Sequence, residues 1–280
     1  MTEKQPEHRY PYIYTSSELG KYFGITIKGI EYYEKKGLIK PNRVGNNKQR
    51  QFNLMETYRI WMTRYLRQIG FNVDQTLAVL NAEKPVAAED AFATMITKLK
   101  RQQLRLDTTI EVLERNLALL EKADDGPFFE LTDSPDFKWL FLRSMECAHR
   151  SDAHQSDEYR QWNELMPITD ASVRYGHTAV VSDELELEPE IGMIMTSDHF
   201  DKFGLSMSER VQAIPGCKCL HTVLVGGSQQ IESRQWLQPA LDELRRRHLR
   251  LQGDVLTSVL LVLDNDETHV RFDEAWLPVE

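Results

Sequence analysis

Between Phe92 and Leu120, apolar side chains return at alternating steps of four and three: Phe92, Ile96, Leu99, Leu106, Ile110, Leu113, Leu117 and Leu120, with the polar Gln103 fourth in the series. The repeat holds over four heptads without Gly or Pro, and the positions between are mostly charged, among them Lys98, Arg101, Arg105, Asp107, Glu111, Glu114, Arg115 and Glu121. A 3.5-residue period is the signature of a coiled-coil seam. An amphipathic helix packed on its own domain shows the same two faces but is usually shorter. A seam Gln103 sets register or orientation at some cost in stability. A two-stranded seam needs a second copy, so the pattern predicts a homodimer. It also divides the chain into residues 1–84, a dimerisation helix over 85–124, and a larger part, 125–280.

Ahead of the rod the pattern changes to short, well-punctuated helices. Thr15-Ser16-Ser17-Glu18 is a capping box, followed by a helix bearing Leu19, Tyr22 and Phe23 that stops at Gly24. Thr26 caps a second helix running to about Lys36, with Gly37 at its stop. Two short helices joined by a Gly-containing turn form a helix-turn-helix pattern. In that motif the start of the second helix meets base edges; here it carries Lys28, with Tyr32 and Tyr33 one turn on. After Lys40-Pro41, the turn Gly45-Asn46-Asn47 separates two extended arms bearing Arg43, Lys48 and Arg50. A basic two-stranded wing of this kind holds phosphates. Asn53-x-x-Glu56 opens a third helix with Tyr58, Trp61, Tyr65, Leu66 and Ile69 as its inner face, closed by Gly70. Asn72-x-x-Gln75 opens a fourth, and Pro85 with the Ala-rich stretch to Ala91 reads as a hinge into the rod.

Beyond the rod one pattern occurs twice. Phe137–Leu142 reads as a strand, Asp157–Leu165 as a helix, and 173–181 and 191–196 as strands. Cys219–Val225 is again a strand, 232–249 a helix, and 255–263 and 269–279 strands. Two strand-helix-strand-strand halves predict one antiparallel sheet with helices on one face. The fold class is therefore α+β: an N-terminal winged helix-turn-helix, a long coiled-coil helix and a C-terminal antiparallel α/β sheet domain.

Charge sharpens this division. Residues 1–80 carry 13 Lys and Arg against 7 Asp and Glu, whereas residues 81–280 carry 21 against 36. A basic head on an acidic body points to a polyanion at the head alone. No apolar run approaches the ~20 residues of a membrane span, and the polar start, Met1 to Arg9, is not a secretory signal. Three cysteines, Cys147, Cys217 and Cys219, fit a reducing cytoplasm. Cys217-x-Cys219 is too close for a two-ligand zinc loop and reads as a pair of core thiols on one strand face. His149-Arg150-Ser151-Asp152-Ala153-His154 holds possible ligands in a polar loop setting. No metal site, cofactor or catalytic residue is expected.

The ordered run Tyr14-Thr15, Glu18-Leu19, Gly24-Ile25-Thr26, Tyr32-Tyr33-Glu34, Gly37-Leu38-Ile39-Lys40-Pro41, Arg50, Phe52 and Leu66-Arg67-x-Ile69-Gly70-Phe71 resembles the winged-helix DNA-binding domain of the MerR family over residues 12–81. The rod stands where that family has its antiparallel dimerisation helix. The resemblance implies a dimer on a palindrome within an over-long promoter spacer, distorting that double-stranded DNA so that RNA polymerase reads both promoter elements. The candidate DNA contacts are Thr15, Thr26, Lys28, Tyr32 and Tyr33 in the helices, and Lys40, Arg43, Lys48 and Arg50 around the wing. Glu31 stands where the family usually has Arg before the paired tyrosines, and Lys48-Gln49 where it has Gly-Tyr. A carboxylate near phosphates repels them; Lys28, Lys48 and Arg50 supply compensating charge. Metal-sensing members place Cys at the start of the dimer helix and in the loop after it, where this chain has none before Cys147.

Residues 126–280 resemble the GyrI-like effector-binding domain, through Ile214-Pro215-Gly216, Trp236 and Leu241, and the ending Glu274-Ala275-Trp276-Leu277-Pro278-Val279, with Trp276 in place of the usual Tyr. The combination is that of the BmrR-type multidrug-responsive regulators, and it implies that Glu274 faces a hollow between the two halves. A bulky lipophilic cation needs aromatic walls for burial and cation–π contact, with one buried carboxylate for charge. The candidate walls are Phe137, Trp139, Phe141, Trp162, Tyr175 and His177, with Met193, Met195 and Trp276; each reads equally as sheet core. Adaptable Met and aromatic walls suit loose specificity. Two other functions stay open: a GyrI-like hydrolase of small electrophilic compounds using Glu274 with Tyr175 or His177, and a constitutive repressor whose body only binds another protein and answers to no small molecule.

Overall fold

The computed structural model describes residues 12–46, 48–144, 156–182, 187–227, 230–264 and 269–280. The His149–His154 stretch and Cys147 lie outside them. Contacts gather into two units, Met1–Leu104 and Arg105–Glu280.

In the first unit, strand β1 (Tyr12–Thr15) leads into helices α1 (Ser16–Phe23) and α2 (Ile27–Lys35). A hairpin follows, β2 (Asn42–Val44) and β3 (Gln49–Asn53), then α3 (Leu54–Gln68) and α4 (Val73–Leu80). The hairpin is the expected wing, and β1 joins it in an antiparallel sheet of order β1-β3-β2. The capping box forms as the sequence predicts: Thr15 N donates to Glu18 Oε2 at 2.7 Å and Glu18 N to Thr15 Oγ1 at 3.3 Å. Gly24 then ends α1 in the left-handed region, at φ 63°. Gly29 is demanded by packing rather than by its dihedrals, since a Cβ there would sit 2.6 Å from Ile25 Cγ2. Leu19, Ile30, Ile39, Phe52 and Ile60 close the core.

The expected inner face of α3 holds at Leu66 and Ile69, which pack with Phe71 and Met95, and is corrected for its three aromatic residues. Glu56, Thr57, Ile60, Thr63 and Leu66 point inward, whereas Tyr58, Trp61 and Tyr65 are exposed, with the Trp61 and Tyr65 rings stacked at 5.9 Å. The helix offers two stripes, and the one holding Ile60 fits against Leu19 and Phe52. Glu56 is drawn inward because it accepts a hydrogen bond from Lys40 N at 2.9 Å. The hinge at Pro85 is also corrected. Pro85 opens helix α5 (Pro85–Asp124, 40 residues), where its missing N–H is no loss and its fixed φ suits the first turn. The alanines that follow are strong helix formers.

Helix α5 carries two stripes. Of the nine predicted seam positions, Ile96, Leu99, Leu106, Ile110, Leu113 and Leu117 are 44–63% exposed in the single chain, whereas Phe92 is half-buried against Phe71. Thr108, Val112 and Leu119 are buried instead. Positions two apart lie about 200° round a helix, so within the second unit these stripes fall on opposite sides.

The second unit is one eight-stranded antiparallel sheet: β4 (Glu130–Asp133), β5 (Phe137–Ser144), β6 (Asp170–Tyr175), β7 (Glu190–Thr196), β8 (Val211–Ile214), β9 (Lys218–Gly227), β10 (Val255–Asp264) and β11 (His269–Pro278), in the order β4-β9-β11-β10-β6-β7-β5-β8. Helices α6 (Asp157–Glu164), α7 (His177–Val181), α8 (Ser197–Lys202) and α9 (Arg234–Arg246) complete it. The duplication read from the sequence is visible in the order. In each half the first strand lies outermost, the third in the middle and the second innermost. The two inner strands, β6 and β10, pair at the centre through Ser172 and Ser258. Strands β4 and β8 and helix α8 were not anticipated. The strand expected to continue to Val181 stops at Tyr175, because Gly176 breaks it and Asp254 Oδ1 accepts from His177 N at 2.8 Å to open α7. Cys219 is buried and Cys217 exposed, so only one of the pair is a core thiol; Cys217 lies just before β9. Among the described residues no helix is long and apolar enough to cross a membrane.

Alternation along the strands separates two faces. Leu140, Met193 and Met195 pack with Trp162 and Phe200 of α6 and α8, and Tyr175, Leu220, Val255 and Leu277 pack against Trp236, Leu237 and Leu241 of α9. The other face bears Phe137, Trp139, Leu256 and Trp276, together with Asp170, His221 and Glu274, which share its alternation.

Candidate functional site

On the head, α2 and the wing meet through charge. Arg50 Nε donates to Glu34 Oε2 at 2.7 Å and Arg50 Nη1 reaches Glu31 Oε1 at 3.2 Å. Arg43 also binds Glu34. These hydrogen bonds hold the Glu34 carboxyl below the ordinary glutamate value, against a burial that would raise it. Lys28 and Lys40 are exposed, and the Tyr32 ring lies open beside Tyr33, centroids 6.2 Å apart. Thr15 and Thr26 spend their oxygens on caps. Lys48 holds a left-handed conformation at the wing tip, φ 50°, an expense of about 1 kcal/mol for a residue with a Cβ. The nominated basic residues thus lie on the wing and on α2, two of them already tied to carboxylates.

In the second unit a cavity of about 420 Å³ opens on the sheet face away from α9, within the usual range for small-molecule sites. Glu111, Val112 and Arg115 of α5 form one wall; Phe137, Ile168, Ile194 and Trp276 supply apolar surface; Asp170, Asp198, His199, Ser258 and Glu274 supply polar groups. Glu274 is 2% exposed. Its Oε1 lies 3.0 Å from His221 Nε2, and the His221 ring stacks on Trp276 at 4.0 Å. Ser258 Oγ donates to Oε2 at 3.4 Å, and Arg115 Nη1 stands 3.4 Å from the same oxygen. Burial works to raise the Glu274 pKa, but the His221 hydrogen bond and the Arg115 charge outweigh it and hold the group below the ordinary value. For Asp170 the balance tips the other way. Burial pushes it up to about 7, with Arg115, 3.9 Å away, opposing and Glu274 adding to the rise. Burial likewise lowers His199. Among the described residues no group of three His, Cys, Asp or Glu is placed to hold a metal.

The MerR HTH family regulatory protein model matches residues 14–83. Over 136 residues the chain is 32% identical to the HTH-type transcriptional regulator CueR of Escherichia coli O157:H7, covering 48% of this chain and 97% of that protein. The chain belongs to the MerR family. It is 22% identical over 126 residues to the HTH-type transcriptional activator TipA of Streptomyces lividans, covering 45% of this chain and 47% of TipA. The cryo-EM structure of the EcmrR–DNA complex in EcmrR-RPo aligns with 95% of this chain and 99% of its own at 14% identity and a TM-score of 0.36. This MerR-family chain is a DNA-binding transcriptional regulator, and the sequence relatives it matches are regulators rather than enzymes.

Where the MerR pattern usually has Arg, Glu31 of this chain reaches back to the wing residue Arg50. Of the ligand residues nominated from sequence, Phe137, Glu274 and Trp276 line the cavity from this face, and Met195 borders it while its side chain packs with Trp162 and Phe200 on the other. Trp139 and Phe141 belong to the same sheet face, 6.0 Å apart. The Trp139 ring is buried over Gly192, where a Cβ would come within 2.6 Å of it, and under the Arg174 guanidinium at 4.4 Å. Trp162, Met193 and Tyr175 lie on the other face, beneath the helices. His177 opens α7 with Nε2 3.1 Å from Leu251 O. The sheet therefore separates Glu274 from Tyr175, so that pair of the hydrolase reading is not brought together.

Sequence reasoning missed Arg115, His221, Asp170 and Ser258 in the site. A signal for Arg115 was present. Thr108, Val112, Arg115 and Leu119 form a second heptad stripe on α5, with an Arg standing where an apolar residue belongs.

Proposed function

We propose that this protein is a homodimeric activator of transcription in which a lipophilic organic cation binds beside Glu274. On this proposal residues 1–84 hold promoter DNA, the helix of residues 85–124 pairs with its copy, residues 125–280 sense the ligand, and the protein works in the cytoplasm. The heads distort a promoter whose spacer is over-long, so that RNA polymerase engages both elements. Thr15, Thr26, Lys28, Tyr32, Tyr33, Lys40, Arg43, Lys48 and Arg50 carry the DNA contacts. The role of TipA as a transcriptional activator supports the sign of the response, and the six exposed seam residues of α5 support the dimer.

The observation that carries the ligand class is the Glu274 carboxylate, 2% exposed and facing a cavity walled by Phe137, Ile194 and Trp276. Glu111 and Glu274, joined by Asp170 as it ionises, line that cavity with Asp198, which Lys202 already pairs at 2.6 Å, against Arg115. Coulomb attraction grows from about 1 kcal/mol in water to several kcal/mol at partly buried distances, so this excess selects cations over neutral analogues of the same shape. A ligand activates only by binding the activating conformation more tightly, and DNA and ligand must then affect each other's affinity.

A thermal-shift screen of cationic dyes and drugs, calorimetry with tetraphenylphosphonium, and in vitro transcription with each hit test the proposal together. Glu274→Gln keeps shape and removes charge; it is expected to lose at least tenfold in cation affinity while binding operator normally. Unchanged cation affinity would move the site elsewhere. Leu106→Asp places a charge in the apolar seam and is expected to give a monomer by light scattering that no longer holds the operator.

A further inference from the structure

A site for a cation, as proposed above, already holds one from its own chain. Arg115 extends from α5 toward Glu274 and Asp170, its Nη atoms 3.4 Å and 3.9 Å from their carboxylate oxygens. Both distances exceed the 2.7–2.9 Å or so of a charge-assisted hydrogen bond. Among the described residues the guanidinium makes one hydrogen bond of ordinary length, from Nη2 to its neighbour Asn116 Oδ1 at 3.1 Å. Its Nε is buried with no hydrogen-bond partner among the described residues, and an unsatisfied buried donor is destabilising. The Arg115 side chain is 39% exposed against 3% for Glu274. The two members of this pair are therefore unequal. Glu274 is fixed from below by His221 and Ser258, whereas Arg115 rests on the open side with poor geometry and an easy route to water.

Position gives the pairing its consequence. Arg115 belongs to the inward stripe of α5 with Thr108, Val112 and Leu119, opposite the exposed seam residues Ile110, Leu113 and Leu117. A cation entering the cavity competes for the carboxylates that tether this stretch of the dimerisation helix.

Resting on the cation-sensing function above, we propose that Arg115 is a resident counter-ion which the ligand must displace from Glu274 and Asp170, so that binding releases α5 from the pocket. Exchange of one cation for another leaves the buried charge balanced, and the freed guanidinium gains water. A neutral ligand cannot make that exchange, because Glu274 would keep its need for Arg115. An anion would draw Arg115 inward and tighten the tether. Affinity and response are thus opposed at this residue: the contact that weakens binding is the one through which binding acts.

Replacing Arg115 separates the two. Tetraphenylphosphonium binding by calorimetry and ligand-dependent transcription are measured for the full-length wild type, Arg115→Met, Arg115→Lys and Glu274→Gln. Arg115→Met is expected to bind the probe at least tenfold more tightly than wild type while the ligand-dependent rise in transcription shrinks severalfold. Arg115→Lys, which keeps a shorter cation, should fall between. Should Arg115→Met fail to fold by circular dichroism, Arg115→Gln, close in length and uncharged, takes its place with the same expectation. Equal or weaker binding by the uncharged variant, with wild type binding the probe and Glu274→Gln losing it, overturns the displacement and leaves cation sensing standing. Absence of cation binding by wild type and every variant removes cation sensing, and the displacement with it. Tighter binding with an undiminished response would make Arg115 a competitor for the site but not the tether.

Discussion

Glutamates of the two units meet arginines in very different surroundings. In the head, Glu34 takes Arg50 and Arg43, and the members of the Arg50–Glu34 pair are 27% and 21% exposed. In the pocket, Glu274 is 3% exposed and takes His221 and Arg115. In each place an acidic side chain is held by basic groups of the same chain, and on the function proposed above a DNA phosphate or an organic cation would have to take one of those groups' places. The physics differs with burial. A solvent-exposed pair contributes about 0–1 kcal/mol and exchanges readily for phosphate. A buried carboxylate cannot be left alone, since removing its partner costs about 3–5 kcal/mol. If the proposal holds, the head can let go of its carboxylates one by one, while the pocket has to trade one cation for another.

The largest effect is expected where burial is deepest. His221→Phe keeps a ring on Trp276 but strips Glu274 of its closest partner, and should lower stability by about 3 kcal/mol in chemical denaturation. A change under about 1 kcal/mol would mean that Glu274 is better hydrated than its burial implies.

Asp170 comes next. Its folded pKa of about 7 lies above its unfolded value near 3.8, so between those pH values the native state binds more protons than the unfolded one. Its contribution to stability is complete below about pH 4 and is lost as pH rises through 7. Asp170→Asn should remove that decline and leave the protein a few kcal/mol more stable than wild type at pH 8, as measured by thermal melts across pH. Identical pH profiles for the two proteins would show that Asp170 titrates alike in the folded and unfolded states. Cation affinity should move in the opposite sense in wild type, rising with pH as Asp170 ionises.

In the head the expected effects are smaller and read in salt. Arg50→Ala should weaken operator and random DNA alike and shallow the salt slope by about one unit. Lys28→Ala, at the start of α2, should instead reduce discrimination between sequences; equal behaviour of the two variants would abolish the division between wing and helix. The smallest change is expected from Glu31→Gln, whose carboxylate is exposed and 3.2 Å from Arg50. Stability should shift by less than about 0.5 kcal/mol, while DNA affinity improves severalfold, because Arg50 loses a competitor and phosphates lose a repelling charge.

What could be read in the chain beforehand follows the range of each signal. The Thr15–Glu18 box, the Thr26 and Asn53 caps, and the stops at Gly24 and Gly37 act within four residues and appear where the sequence puts them. The wing needed only a turn and its flanking arms. The duplicated strand-helix-strand-strand pattern was legible because alternation and the 3.6-residue period are local properties. Alternation also announced that β5, β7 and β11 have two faces, but not which face α6, α8 and α9 would cover. Trp162, Met193 and Tyr175 therefore looked like pocket walls and turned out to lie under helices. On α3 two stripes competed, and the larger aromatic one, Tyr58, Trp61 and Tyr65, stayed outside because Ile60 fitted the core formed with Leu19 and Phe52.

By itself the sequence determined most of the elements and their order, the apolar stripe that α5 leaves exposed and the place of Glu274 beside Trp276, since each rests on neighbours within a turn or a strand. Only the tertiary structure decided what Glu274 meets. His221 lies 53 residues from it in sequence, and Arg115 reaches it from a different element altogether. Ion pairing acts through space with no period along the chain, so no spacing of residues records it. The charge of the pocket was fixed by composition; its partners were fixed by which side of the sheet the helices left open.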